Sequence, residues 1–236
     1  MSKKDQANVT RVRQNGRTSG QSATFGSVPR RPRPLAPGAL YHVTNRGNRR
    51  GVIFTTDGDR VLFLEILRQV VARRSWQLFA YCLMHNHYHL VLRTPDADLP
   101  AGMQALNGDY AQCFNKLHGL VGHVFQGRYH AVLVESDWHF LQLARYLALN
   151  PVRAGLCSSP AEWPWGSYRD IASGKASSPT SSERTLRHFG RDLGVARAAF
   201  IEFVEGGPAG PDGAFPDMSG SDPAVADPAV AGLALA

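Results

Sequence analysis

The chain has 236 residues (25.8 kDa), is 43% hydrophobic and carries a formal charge of +7, with a pI near 9.7. That length suits one domain with a real core plus tails, and the basic balance favours an anionic partner such as nucleic acid, without selecting DNA over RNA or a membrane surface. Three scattered cysteines (Cys82, Cys113, Cys157) with no Cys-x-x-Cys pair argue against a zinc ribbon or disulfide framework; the N-terminus lacks the apolar region of a secretory signal, and no apolar run is long enough to cross a membrane.

Residues 1–37 are polar and hold eight Lys/Arg against one Asp. They have no periodic apolar positions, so a disordered basic tail is expected. Residues 40–44 read as a first strand, and 46–50 as a basic turn around Gly47. From Asp57 the apolar positions Val61, Leu62, Leu64, Ile66, Leu67, Val70 and Val71 recur at helical spacing. Residues 76–83 and 87–93 read as an antiparallel strand pair joined tightly at Asn86. After a loop over 95–100, Met103, Leu106, Tyr110, Phe114 and Leu117 form the stripe of a second helix. Residues 124–134 supply a fourth strand, and 138–149 a third helix that Pro151 is expected to end.

The order β-α-β-β-α-β followed by a helix is the split βαβ, ferredoxin-like α+β arrangement. The expected organisation is a basic tail (1–37), one domain (38–170), a helical extension (171–205) and a low-complexity acidic tail (206–236). The last contains four Asp, no Lys/Arg and the near-repeat Asp222-Pro223-Ala224-Val225-Ala226 / Asp227-Pro228-Ala229-Val230-Ala231.

Two segments carry chemistry. In Asn86-His87-Tyr88-His89-Leu90-Val91-Leu92, His87 and His89 lie two apart at the start of a strand. Strand side chains alternate, so both imidazoles share a face while Tyr88 points the other way. Two imidazoles on one face suit a divalent metal. In Arg145-Tyr146-Leu147-Ala148-Leu149-Asn150-Pro151-Val152-Arg153-Ala154-Gly155, Tyr146 and Asn150 lie four apart on one helix face. Three more segments accompany them: Tyr41-His42-Val43-Thr44-Asn45-Arg46-Gly47-Asn48-Arg49, Phe125-Gln126-Gly127-Arg128-Tyr129 and Trp165-Gly166-Ser167-Tyr168.

Together, from about Gly38 to Tyr168, these segments resemble the single-tyrosine HUH nucleases, and more narrowly the REP-associated tyrosine transposases. The resemblance implies a central antiparallel sheet with the nucleophile helix laid beside it. It implies a transposase that cleaves and rejoins hairpin-forming single-stranded DNA through a 5′-phosphotyrosine. Tyr146 is then the nucleophile, and His87 and His89 hold Mg2+ or Mn2+. The side-chain oxygen of Asn150 is the natural third ligand, where relatives use glutamine; the alternative is that Asn150 only caps its helix. His85, where relatives often carry proline, is either a further ligand or a turn residue.

Arg46, Asn48, Arg49, Arg50, Arg128 and Arg153 are candidates for DNA phosphate contact, against the reading that they are solvated loop residues. His42, His130 and His139 default to surface or hydrogen-bonded histidines. Tyr41, Trp138, Trp163 and Trp165 either stack on bases or, for most of them, pack in the core. The expected partner is single-stranded or hairpin DNA, with no membrane and no small-molecule substrate. A monomer is expected rather than a helix-swapped homodimer, acting in the cytoplasm and at the nucleoid. The competing function is a catalytically silent single-strand-binding or regulatory protein on the same fold. A metallohydrolase unrelated to nucleic acid would want carboxylates near the histidines, and the sequence offers none there.

Overall fold

Four strands form one sheet in a computed structural model that describes residues 35–175 and 179–206. The strands are β1 (Leu40–Arg46), β2 (Gln77–Leu83), β3 (His87–Arg93) and β4 (His130–Leu133). They lie in the order β2-β3-β1-β4 with every pairing antiparallel, the ferredoxin-like order. The helices are α1 (Asp57–Arg73), α2 (Leu99–His118), α3 (Asp137–Arg153), α4 (Ser167–Ser173), α5 (Ser182–Leu186) and α6 (Leu193–Glu205). The two charged tails expected from the sequence lie outside the described residues, apart from a few residues at their inner ends.

Strand alternation divides the side chains between two cores. Tyr41 and Val43 of β1 join Tyr88, Leu90 and Leu92 of β3 on the face covered by α1 and α2. There Phe54, Phe63 and Tyr110 are fully buried, and burial of each such ring is worth about 1.5–3 kcal/mol. The opposite face presents Leu40, Phe79, Cys82 and Val91 to Phe140, Leu143 and Leu147 of α3. The sheet is therefore covered on both sides, with α3 lying over its second face.

The helix starts follow local chemistry. Thr56 caps α1 by accepting from the Asp59 backbone N–H, while the Asp59 carboxylate accepts from the Thr56 N–H at 2.8 Å. Ser136 caps α3 by accepting from the His139 N–H.

Three expected boundaries shift. The second helix starts at Leu99 rather than 103, because Pro100 falls in its first turn, where a missing N–H costs nothing. The fourth strand is four residues long, preceded by a loop. Pro151 does not end α3: it lies buried in the last turn, and the helix runs on to Arg153. The terminator is Gly155, whose φ of +68° is glycine's region. The Leu156 N–H donates to the Pro151 carbonyl at 2.9 Å and the Gly155 N–H to that of Val152 at 3.0 Å, a Schellman closure.

The C-terminal segment packs more closely than the sequence suggests. α4 runs across the expected boundary at residue 170, and Tyr168, Ile171, Leu186, Ala196 and Phe200 bury the back of α3 at Ala144 and Ala148. The same segment covers the outer edge of β2. The Ser181 N–H donates to the Leu78 carbonyl, the Thr185 hydroxyl to that of Phe79, and the Leu83 N–H to that of Trp165. A sheet edge that would otherwise invite another strand is thereby closed.

Candidate active site

β3 and α3 bring the sequence candidates together. His87 and His89 stand on the α3 face of the sheet with ring centroids 5.0 Å apart, while Tyr88 is buried opposite and donates to Asn107 Oδ1 at 2.6 Å. The Tyr146 ring stands edge-on to His89 with centroids 5.6 Å apart. One turn further along α3, the Asn150 amide nitrogen lies 3.4 Å from His89 Nε2. Asn150 sits three residues inside α3, and Gly155 closes the helix, so the capping alternative does not describe it. The Arg153 guanidinium lies 5.6 Å from the Tyr146 ring centroid and so sets a positive charge beside the phenol.

Each metal-candidate imidazole has a neighbour at its other nitrogen. His87 Nδ1 is 2.7 Å from Asn86 Oδ1, and His89 Nδ1 is 3.0 Å from His42 Nε2. His42, which the sequence leaves at its default, is 3% exposed and stacks on His89 at 5.3 Å and 14°. Strand parity could have found it: Thr44 pairs with His89, and His42 shares Thr44's face.

His85 lies in the β2–β3 turn. Its Nδ1 is 3.1 Å from the Arg60 guanidinium and its ring is edge-on to Trp163, so that nitrogen serves Arg60 and not a metal. His130 pairs with Thr44 across β4 and is exposed.

His42 and His89 are buried and His87 half-buried, and this desolvation keeps the imidazoles neutral. Loss of hydration pushes the His87 pKa down to about 3, with Arg46 and His85 adding to the effect. His89 is held well below its usual value by burial, then by His87 and Arg46. His42 is lowered by burial, then by His89, His130 and His139. Neutral imidazoles keep the lone pairs that a divalent ion needs.

The donor set fits such an ion. The 3.4 Å between His89 Nε2 and the Asn150 amide is close to the roughly 3 Å separating adjacent ligands of a six-coordinate ion bound at about 2.1 Å. Turning the amide over presents its oxygen. Among the described residues no group of three His, Cys, Asp or Glu is arranged around a metal, so the third protein ligand has to come from an amide or from outside that set.

Most of the candidate phosphate contacts lie at the end of β1 and in the turn and loop beside it. Arg46 lies across from His87 in the β1–β3 register and shares its face. Asn48, Arg49 and Arg50 are exposed in a 3-10 turn in which Arg49 (φ +53°) and Arg50 (φ +61°) hold left-handed conformations. The loop carrying Arg128 is stitched to this turn: the Asn48 N–H donates to the Val124 carbonyl and the Gln126 N–H to that of Arg46. Arg153 stands apart at the end of α3, next to Tyr146. Of the aromatic candidates, Tyr41 is buried, Trp163 and Trp165 lie around Arg60, and Trp138 is 66% exposed at the start of α3 rather than in the core.

Residues 37–150 match the model of the family described as IS200-like transposases. Among solved structures the chain is similar to a REP-associated tyrosine transposase bound to a REP hairpin, with a TM-score of 0.53 and 20% identity over 62% of this chain and 87% of that one. That likeness bears on the fold. Looser likenesses are a candidate transposase from Deinococcus radiodurans R1 (TM-score 0.37, 20% identity, 50% of this chain and 94% of that one) and tRNA(His) guanylyltransferase from Saccharomyces cerevisiae (0.38, 10%, 72% and 79%). No curated protein matches the chain.

Proposed function

We propose that this chain, whose residues 37–150 match the IS200-like transposases, is of the REP-associated kind and cleaves and rejoins hairpin-forming single-stranded DNA with Tyr146 as nucleophile. The observation that carries this reading is the meeting of α3 with the start of β3. Tyr146 and Asn150 from one helix face meet His89, which shares a strand face with His87 beside it. The similar REP-associated transposase, bound to a REP hairpin, lends the substrate class.

The chemistry follows from the parts. The Tyr146 phenol oxygen attacks the scissile phosphorus, forming an O–P bond as the bond to the 3′-oxygen breaks. The phenol proton leaves, and the released 3′-oxygen takes up a proton to become a hydroxyl. Reversal of the step, by that hydroxyl or another, rejoins DNA without an external energy source. His87, His89 and the Asn150 oxygen would hold Mg2+ or Mn2+, which when bound withdraws charge from the phosphate oxygens. Arg46, beside the histidines, and Arg153, beside Tyr146, offset phosphate charge. Asn48, Arg49, Arg50 and Arg128 hold the flanking backbone and fix register without reading sequence. α3 mounts nucleophile and amide one turn apart, so their relative position does not depend on a loop.

The test is to incubate end-labelled hairpin DNA with Mn2+ and the full chain and to resolve the products on a denaturing gel. A covalent protein–DNA adduct and a free 3′-hydroxyl fragment are expected. Tight binding with neither product would instead make the chain a silent single-strand-binding protein.

A further inference from the structure

We propose that Asn86 and His42 are positioning residues that lock His87 and His89 in the tautomer with the proton on Nδ1, so that both Nε2 lone pairs face one divalent cation before DNA arrives. This rests on the metal-dependent reading above. A neutral imidazole has one N–H and one lone pair, and the partner of one nitrogen decides which of them the other offers.

For His87 the assignment follows from donors and acceptors alone. The Arg50 carbonyl can only accept, so the Asn86 group 3.1 Å from it is the amide NH2. The Asn86 oxygen therefore faces His87 Nδ1 at 2.7 Å, and Nδ1 must carry the proton. Nε2 is left with the lone pair.

For His89 the second ring supplies the partner. The contact of 3.0 Å between His89 Nδ1 and His42 Nε2 holds one proton, and on this proposal it sits on His89 Nδ1: with the Asn150 oxygen turned to the ion, Nε2 joins the same ion only through its lone pair. His42 then carries its own proton on Nδ1. His42 is buried on a central strand and stacked on His89, so the acceptor is fixed and His89 has little room to rotate.

Both partners are uncharged. Metal-bound histidines are often oriented by a carboxylate, but an anion behind these rings would repel the DNA phosphate in front of them. A neutral imidazole and an amide orient the ligands without that charge. Asn86 is also tied to the basic turn, since its carbonyl accepts from the Gly47 N–H at 2.8 Å. The loop proposed to grip DNA and the orientation of His87 thus share one anchor.

The experiment uses the full chain without DNA. Long-range 1H–15N NMR of the imidazoles, recorded without metal, reads the tautomers; Mn2+ titration by calorimetry reads affinity. His42→Phe keeps a stacking ring and removes the acceptor, whereas His42→Gln restores a carbonyl acceptor.

We expect Nδ1–H on both His87 and His89 in the parent. Mn2+ affinity should fall roughly 10–100-fold in His42→Phe and in Asn86→Leu, and recover to within a few-fold in His42→Gln. Melting curves identify any variant that has lost its fold, and for position 42 the comparison then rests on His42→Gln and the parent tautomers. An Nε2–H tautomer on either parent histidine, or parental Mn2+ affinity in folded His42→Phe, would overturn the proposal. A parent that binds no Mn2+ overturns the metal reading instead, and the metal-free tautomers still report on the lock.

Discussion

At the scale of single residues, reactivity depends on which atoms face one another across β3 and α3. Tyr146→Phe removes one oxygen and keeps the ring that meets His89. We expect this variant to bind hairpin DNA with near-parental affinity and to give no covalent adduct; adduct at the parental rate would remove Tyr146 from the nucleophile role. Asn150 separates ligand from scaffold. Asn150→Gln keeps an amide oxygen one methylene further out, and Asn150→Leu deletes it at similar size. Partial single-turnover cleavage is expected for Gln and loss of most of it for Leu, with similar melting temperatures because the helix is closed by Gly155 rather than Asn150. Full cleavage by a folded Leu variant would exclude metal ligation by this residue.

At the scale of elements, the basic turn after β1 is shaped by backbone more than by its arginines. A Cβ on Gly47 would stand 1.9 Å from the Gly51 carbonyl oxygen and 2.9 Å from Ile53 Cγ2. Gly47→Ala therefore has to displace the turn carrying Asn48, Arg49 and Arg50 while leaving every charge in the sequence. We expect single-strand affinity to drop several-fold with the Tyr146 helix intact, and Mn2+ affinity to fall with it because Asn86 is held by the same turn. Filter-binding and calorimetry on one preparation check both. Parental DNA affinity would show that these arginines are solvated bystanders.

At the scale of the whole molecule, neutral histidines withdrawn from water link stability to pH. The folded pKa values of His42, His87 and His89 are depressed. An unfolded histidine titrates near about 6.5, so below that pH the unfolded chain binds more protons and the fold loses ground. The stabilisation from these groups is complete above about pH 6.5 and declines as pH falls towards the depressed values, about 3 for His87. The melting temperature of metal-free protein should therefore fall steadily from pH 7 to 5, and a flat profile would contradict neutral burial. Residues 1–37 concentrate positive charge and hold none of the candidate catalytic residues, so their expected effect is on affinity and not on chemistry. Deleting residues 1–34 should flatten the log–log salt dependence of single-strand binding, by roughly 0.7 for each phosphate that the tail had neutralised. Cleavage at saturating DNA should be retained; identical slopes would mean that the tail does not touch DNA.

Short-range pattern was enough to determine the succession of strands and helices along the chain, the shared face of His87 and His89, and the shared helix face of Tyr146 and Asn150, because periods of 2 and 3.6 residues fix which side chains lie together on one element; it left the order of strands within the sheet open. It could not determine what faces an element from elsewhere in the chain. That His42 stands behind His89, that Asn86 ties His87 to the basic turn, that His85 turns towards Arg60, and that α5 closes the β2 edge all depend on pairing across 25 to 106 residues of sequence. The end of α3 departs from the sequence expectation for a related reason. Proline costs a helix about 3 kcal/mol by removing the bond to the carbonyl four residues back, yet Pro151 is buried inside α3 and the helix runs on to its closure at Gly155, so local propensity did not decide the end. The sequence identifies the reactive groups; the tertiary structure decides how each is oriented, because donors, acceptors and charges take their roles from neighbours that only folding supplies.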